Sequence, residues 1–152
     1  MPIHNVRPIR PPIEITRQGK ILLFDERAED LQRVGELLAA EGHQVQQCVS
    51  FSEAVDRLTD ESFDMVIIGQ QAGLEEEGEV AEWARAVNSR LPVLMLLTDD
   101  NQARGSGERW RGDVSEYLMK PASPAEERLF KETVQRYLKP TVAVTEGIEI
   151  PS

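Results

Sequence analysis

The sequence predicts an α/β fold: a doubly wound, five-stranded parallel sheet in the order 2-1-3-4-5, with two helices on one face and three on the other. Three observations predict it. Short unbroken apolar runs recur at residues 21–24 (ILLF), 65–68 (MVII) and 93–97 (VLMLL), the pattern of strands buried on both faces. Stretches with apolar residues at helical spacing lie between them. Capping and stop residues punctuate those stretches where helices should begin and end.

Taken in order, 21–24 is the first strand. Leu31, Val34 and Leu38 then mark an amphipathic helix that Gly42 stops. Residues 45–49 form a weaker, more polar strand suited to a sheet edge. Ser50 and Glu53 supply a capping box ahead of Ala54, Val55 and Leu58. After the strand at 65–68, Val80, Trp83, Ala84 and Val87 space a third helix, with Trp83 placed in its core stripe. The strand at 93–97 is followed by an exception. Residues 100–112 hold three glycines, at 105, 107 and 112, each costing about 1 kcal/mol inside a helix, so a short, frayed element is expected there. Residues 114–119 give the second edge strand. Ser123, Pro124 and Glu126 open the last helix, which carries Phe130, Val134, Tyr137 and Leu138.

The chain of 152 residues suits one domain with tails. Prolines crowd both ends, which divides the sequence into an extended tail at 1–18, a domain at 19–138 and a second tail at 139–152. The first tail carries +2 and the last −1, so the net charge of −10 leaves −11 on the body. A charge this negative argues against gripping nucleic acid or an anionic membrane, and protein partners become the expectation. The lone cysteine, Cys48, reads as a buried small hydrophobe. The two histidines, His4 and His43, offer no metal-ligand spacing, and His43 reads as a turn residue. No membrane-length apolar run or signal peptide is visible, so a cytoplasmic protein without a cofactor is expected.

In a doubly wound sheet, functional groups collect outside the carboxyl ends of the strands. Those ends carry Asp25 and Glu26, Gly69, Thr98 with Asp99, and Lys120 with Pro121. Two carboxylates, a hydroxyl and an ammonium facing one point suit a hard cation and a phosphoryl group. The bland alternatives are a solvated acidic pair at a helix start, a structural Lys120 paired with Asp25 or Glu26, and packing or surface roles for Thr98 and Tyr117. The acidic run Glu75, Glu76, Glu77 and Glu79 reads as a solvated helix start, with a basic partner surface as the alternative. Trp110, in the glycine-rich segment, is a candidate interface anchor.

Over roughly residues 19–138 the sequence resembles the CheY-like receiver domain of bacterial two-component response regulators. The stretches ILLFDE, FDMVII, LPVLMLLT and EYLMKP are similar to receiver strands, and the separations of 44, 29 and 22 residues between Asp25, position 69, Thr98 and Lys120 are close to the family's. The resemblance implies a flavodoxin-like three-layer sandwich and a cis Lys120–Pro121 bond. It matches Asp25 and Glu26 to the acidic pair that holds magnesium, Thr98 and Lys120 to the groups that contact the phosphoryl group, and Tyr117 to the aromatic switch. The family's phospho-acceptor aspartate is replaced by Gly69, which offers neither nucleophile nor ligand, and Asp99 stands where a small residue is usual.

The expectation is therefore a non-enzymatic pseudo-receiver that works by protein–protein interaction, with at most a weak magnesium site at Asp25 and Glu26. Its partners would be another signalling protein or output domain, through the sheet edge and last helix, or a second copy through the fourth-helix to fifth-helix face. Gly69→Asp is expected to strengthen magnesium binding. The competing readings are a phosphorelay receiver with a non-standard acceptor carboxylate such as Asp99, and a flavodoxin-like small-ligand binder.

Overall fold

A computed structural model describes residues 17–70, 76–98 and 112–138. Five parallel strands, β1 (Lys20–Phe24), β2 (Gln44–Cys48), β3 (Met65–Gly69), β4 (Val93–Leu97) and β5 (Glu116–Met119), form one sheet in the order β2-β1-β3-β4-β5. The described helices are α1 (Ala28–Ala40), α2 (Phe51–Asp60), α3 (Glu76–Val87) and α4 (Pro124–Leu138). This is the predicted flavodoxin-like topology. The segment expected to be least regular, 100–112, lies outside the described residues except for Gly112, as do Asp99, Trp110 and both predicted tails except Arg17 and Gln18.

The period-2 alternation of the strands sorts the core into two layers. Leu22, Phe24, Val66, Ile68 and Met95 point to the face covered by α2 and α3, where they meet Ala54, Leu58, Val80 and Ala84. Ile21, Leu23, Ile67, Leu94 and Leu96 point to the other face and pack on Leu31, Val34 and Leu38 of α1 and Phe130 and Val134 of α4. Each face thus carries two of the described helices. Every residue of β3 and β4 is buried, whereas β2 and β5 at the edges are mostly half-exposed, as their polar composition predicts.

Both serine caps form, and each box closes one residue early. Ser50 Oγ accepts the Glu53 N–H and Ser123 Oγ accepts the Glu126 N–H, each at 3.2 Å. The two glutamates reach back one residue beyond the cap, to the N–H groups of Val49 and Ala122. Gly42 ends α1 at φ 91°, a conformation that L side chains resist, and its N–H donates to Ala39 O.

The third helix corrects one expectation. Trp83 is 43% exposed and Val87 52%, so neither belongs to the core. The buried positions are Val80, Ala81 and Ala84, which rotates the inward stripe by about 60° from the predicted one at 3.6 residues per turn. Two alanines let the helix lie close to the sheet, and the indole is left on the flank.

His43 is also more than a turn residue. It is buried, and its Nδ1 accepts the Gly19 N–H at 3.1 Å, tying the start of β2 to the chain just before β1. Burial lowers its pKa below the ordinary histidine value, with Glu41 pulling weakly the other way. The folded chain therefore binds this proton less readily than the unfolded one. The resulting stabilisation is complete above about pH 6.5 and is lost as the pH falls through the depressed folded value. Going from about pH 7.5 to about pH 5.5, the urea midpoint of the wild type should fall further than that of His43→Gln.

Candidate functional site

The parallel register brings the carboxyl ends of four strands together. Phe24 lies beside Ile68 and Gly69 beside Leu96, while the Lys120 N–H extends the ladder to Leu97 O at 2.8 Å. Asp25, Gly69, Thr98 and Lys120 consequently stand at one end of the sheet, as the sequence predicts.

Asp25 organises the site. Its side chain is buried, with the residue only 2% exposed, and its two carboxylate oxygens do different work. Oδ1 accepts the Arg27 N–H at 2.9 Å, which satisfies a backbone donor where α1 begins, since Arg27 itself supplies no side-chain cap. Oδ2 lies 3.0 Å from Lys120 Nζ. The same ammonium sits 2.8 Å from Asp30 Oδ2, so one cation is held between two carboxylates. Arg27 Nε approaches Asp30 at 3.6 Å from the solvent side.

Sequence reasoning missed Asp30 and Arg33. Asp30 is one of two acids in the first turn of α1, a placement that the helix dipole already explains, so nothing in the pattern marked it as a ligand of Lys120. Arg33 Nη1 donates to Pro121 O at 3.0 Å. Through these two residues α1 grips the loop that follows β5. That loop corrects a second expectation: no peptide bond among the described residues is cis, so Lys120–Pro121 is trans. The trans form is the lower-energy isomer of an X-Pro bond by about 0.5–1 kcal/mol, and here both flanking groups already have partners, Leu97 O and Arg33.

Gly69 is where the site closes. A Cβ built on it would lie 2.6 Å from Asp25 Cγ and closer still to Oδ2. The carboxylate of Asp25 thus fills the space in front of β3 that a side chain at position 69 would occupy. A carboxylate introduced by Gly69→Asp would meet that of Asp25 in this space.

The remaining predicted residues divide. Thr98 is exposed at the end of β4, and Glu26 is half-exposed next to Asp25. Tyr117 is half-buried, paired in register with Met95, and packs against the core layer under α2 and α3. Cys48 is buried, and its thiol is pushed up to about 11, chiefly by burial, so it is no nucleophile at neutral pH.

The donor set does not fit a bound divalent cation. Asp25 is engaged by Lys120 and the Arg27 N–H, Gly69 has no side-chain oxygen, and the described residues contain no group of three His, Cys, Asp or Glu side chains placed to hold a metal. One ammonium, that of Lys120, already bridges the carboxylates of Asp25 and Asp30.

The sheet order β2-β1-β3-β4-β5 matches a flavodoxin-like receiver fold. Among solved structures, the chain is similar to a CheY-like response regulator receiver domain protein from Methanospirillum hungatei, with 19% identity over 80% of this chain and 94% of that one, at a TM-score of 0.66. It is similar to the response regulator protein TrrA from Thermotoga maritima, in complex with Mg(2+)-BeF, with 23% identity over 78% and 98% and a TM-score of 0.65. A structure named as an adenylate cyclase from Rhodopirellula baltica matches 90% of this chain and 100% of that one at 21% identity and a TM-score of 0.66. No protein-family model matches the sequence, and no curated protein matches it. Identities this low establish the fold; what the site does has to be argued from its residues.

Proposed function

We propose that the chain is a pseudo-receiver: a two-component-type signalling module that acts by binding another protein, without aspartyl phosphorylation and without enzymatic activity. The observation that carries this reading is the placement of the Asp25 carboxylate over Gly69, locked by Lys120. In-line attack on a phosphoryl donor requires a nucleophile at the end of β3 and a cation to neutralise the incoming charge. Position 69 offers no nucleophile, and the lysine that would meet a phosphoryl oxygen is held by Asp25 and Asp30. The receiver fold of the structural neighbours supports the signalling class, and among the described residues no helix is long and apolar enough to cross a membrane. We place its action in the cytoplasm, with a signalling protein or output domain as partner.

Incubation with a small acyl phosphate and magnesium, followed by intact-mass measurement, tests this reading. The expected result is an unmodified chain. A stoichiometric gain of about 80 Da on a carboxylate would overturn it in favour of a substitute acceptor such as Asp99. A coloured or fluorescent purified protein, or a strong thermal shift with a small ligand, would favour the flavodoxin-like binder instead.

A further inference from the structure

The outer edge of β2 is open. The Gln44 N–H donates to Gly19 O at 3.0 Å and Cys48 O accepts the Asp25 N–H at 3.2 Å, so residues 44, 46 and 48 turn their backbone groups toward β1. The N–H and C=O groups of Val45 and Gln47 therefore point away from the sheet, and among the described residues β2 pairs with no strand but β1. Edges of this kind are normally guarded by a charge, a proline or a bulge. The opposite edge is guarded: β5 carries Glu116, held by Arg136 at 3.2 Å and by the Tyr137 hydroxyl at 2.9 Å. The β2 sequence, QVQQC, has no charge, proline or glycine, and its register with β1 runs without a bulge.

The surroundings of this edge are equally uncharged on one face and internally paired on the other. Gln47 lies over Gly35 of α1, where a Cβ would collide with the Gln47 amide. In line with Gly35 on that flank of α1 are Ala28, Gln32 and Ala39, all exposed and none charged. On the α2 face, the charged groups that act on the Cys48 thiol already have partners: Glu53 accepts the Val49 N–H, and Arg57 pairs with Glu61. On a chain of net charge −10, this strand sets no acid against an acid when it meets its own equivalent.

We propose that this edge joins two copies of the chain. β2 pairs antiparallel with β2 of a second copy about a two-fold axis at Gln46, which makes one continuous sheet of ten strands, five from each copy. In that register Val45 of each copy exchanges both backbone bonds with Gln47 of the other, so every outward group of the strand is satisfied. Gln46 faces its own equivalent across the axis as a non-hydrogen-bonded pair, close enough for the two side-chain amides to bond each other. Self-complementarity selects a second copy over a foreign strand, because a single register satisfies both partners at once. Phosphoryl transfer plays no part in this contact, which goes beyond the pseudo-receiver reading.

Sedimentation of the full chain at about 100 μM should show a dimer. Its population should rise between about 20 mM and about 500 mM salt, since screening relieves the repulsion of two acidic chains and no ion pair is lost. Amide exchange at Val45 and Gln47 should slow as protein concentration rises. Gln46→Cys should give a disulfide-linked dimer under mild oxidation, because the facing Cα atoms lie about 4.5 Å apart, whereas Glu132→Cys, exposed on α4, should not. Gln46→Lys should weaken association at least about tenfold, and mixing it with Gln46→Glu should restore it as a heterodimer. A monomer at every concentration and salt, a mixture no tighter than Gln46→Lys alone, or faster cross-linking at Glu132→Cys than at Gln46→Cys would overturn the proposal. So would protection of Val45 and Gln47 that ignores protein concentration, because another segment of the chain would then cover the edge. None of these outcomes bears on phosphoryl transfer, which the acyl-phosphate measurement reads separately.

Discussion

Lys120→Met should lower the unfolding free energy by about 3 kcal/mol, measured by urea denaturation at neutral pH, because it leaves a buried carboxylate without its cation. The side chain of Lys120 is 12% exposed and that of Asp25 only 3%, so water compensates little of the loss. Asp30, at 19%, is better solvated and loses less. The aliphatic stem is preserved by methionine, which confines the change to the charge and its hydrogen bonds. Asp30→Asn, by comparison, should cost about 1 kcal/mol, since Lys120 keeps Asp25 and the remaining group reaches solvent. The coupling between positions 25 and 120, read from a double-mutant cycle, should exceed that between 30 and 120. Near-equal couplings would show that the ammonium serves the two carboxylates alike and that Asp25 is not the centre of the site.

The sheet was legible because burial on both faces leaves a sequence no choice: β3 and β4 must be apolar throughout, and MVIIG and VLMLL are. The helix ends were legible for a similarly local reason, since Ser50, Ser123 and Gly42 act within a few residues of themselves. What could not be read is what depends on rotation or on long-range approach. Trp83 and Ala81 are two residues apart, and a rotation of α3 smaller than one residue step decides which faces the sheet. Asp30 and Lys120 are 90 residues apart, and an acid in a first helical turn is adequately explained without any partner. The Asp25–Lys120 pair was anticipated from the strand ends, but the second carboxylate and the occupied space over Gly69 were not. A glycine at the end of a strand reads in sequence as a hole, and only the conformation of Asp25 reveals that the hole is filled.

Filling that space makes Gly69 a requirement, and Gly69→Ala should destabilise the chain by about 3 kcal/mol. Backbone conformation is not the reason. Among the described glycines only Gly42 has a positive φ, so an L residue at 69 meets no torsional penalty. The obstacle is Asp25, whose Cγ would lie 2.6 Å from the new methyl group. Asp25 would have to swing away, giving up the Arg27 N–H and Lys120 together. Gly69→Asp should be worse, since it adds a second carboxylate to the same space. If crowding is the cause, removing the first carboxylate should relieve it. In the combination Asp25→Gly with Gly69→Asp, the acid at 69 inherits Lys120, and the double variant should recover about 2 kcal/mol relative to Gly69→Asp alone. Urea midpoints of the four proteins close the cycle. A double variant no more stable than Gly69→Asp would mean that position 69 resists substitution for some reason other than Asp25, and the account of Asp25 as the occupant of that space would fail with it.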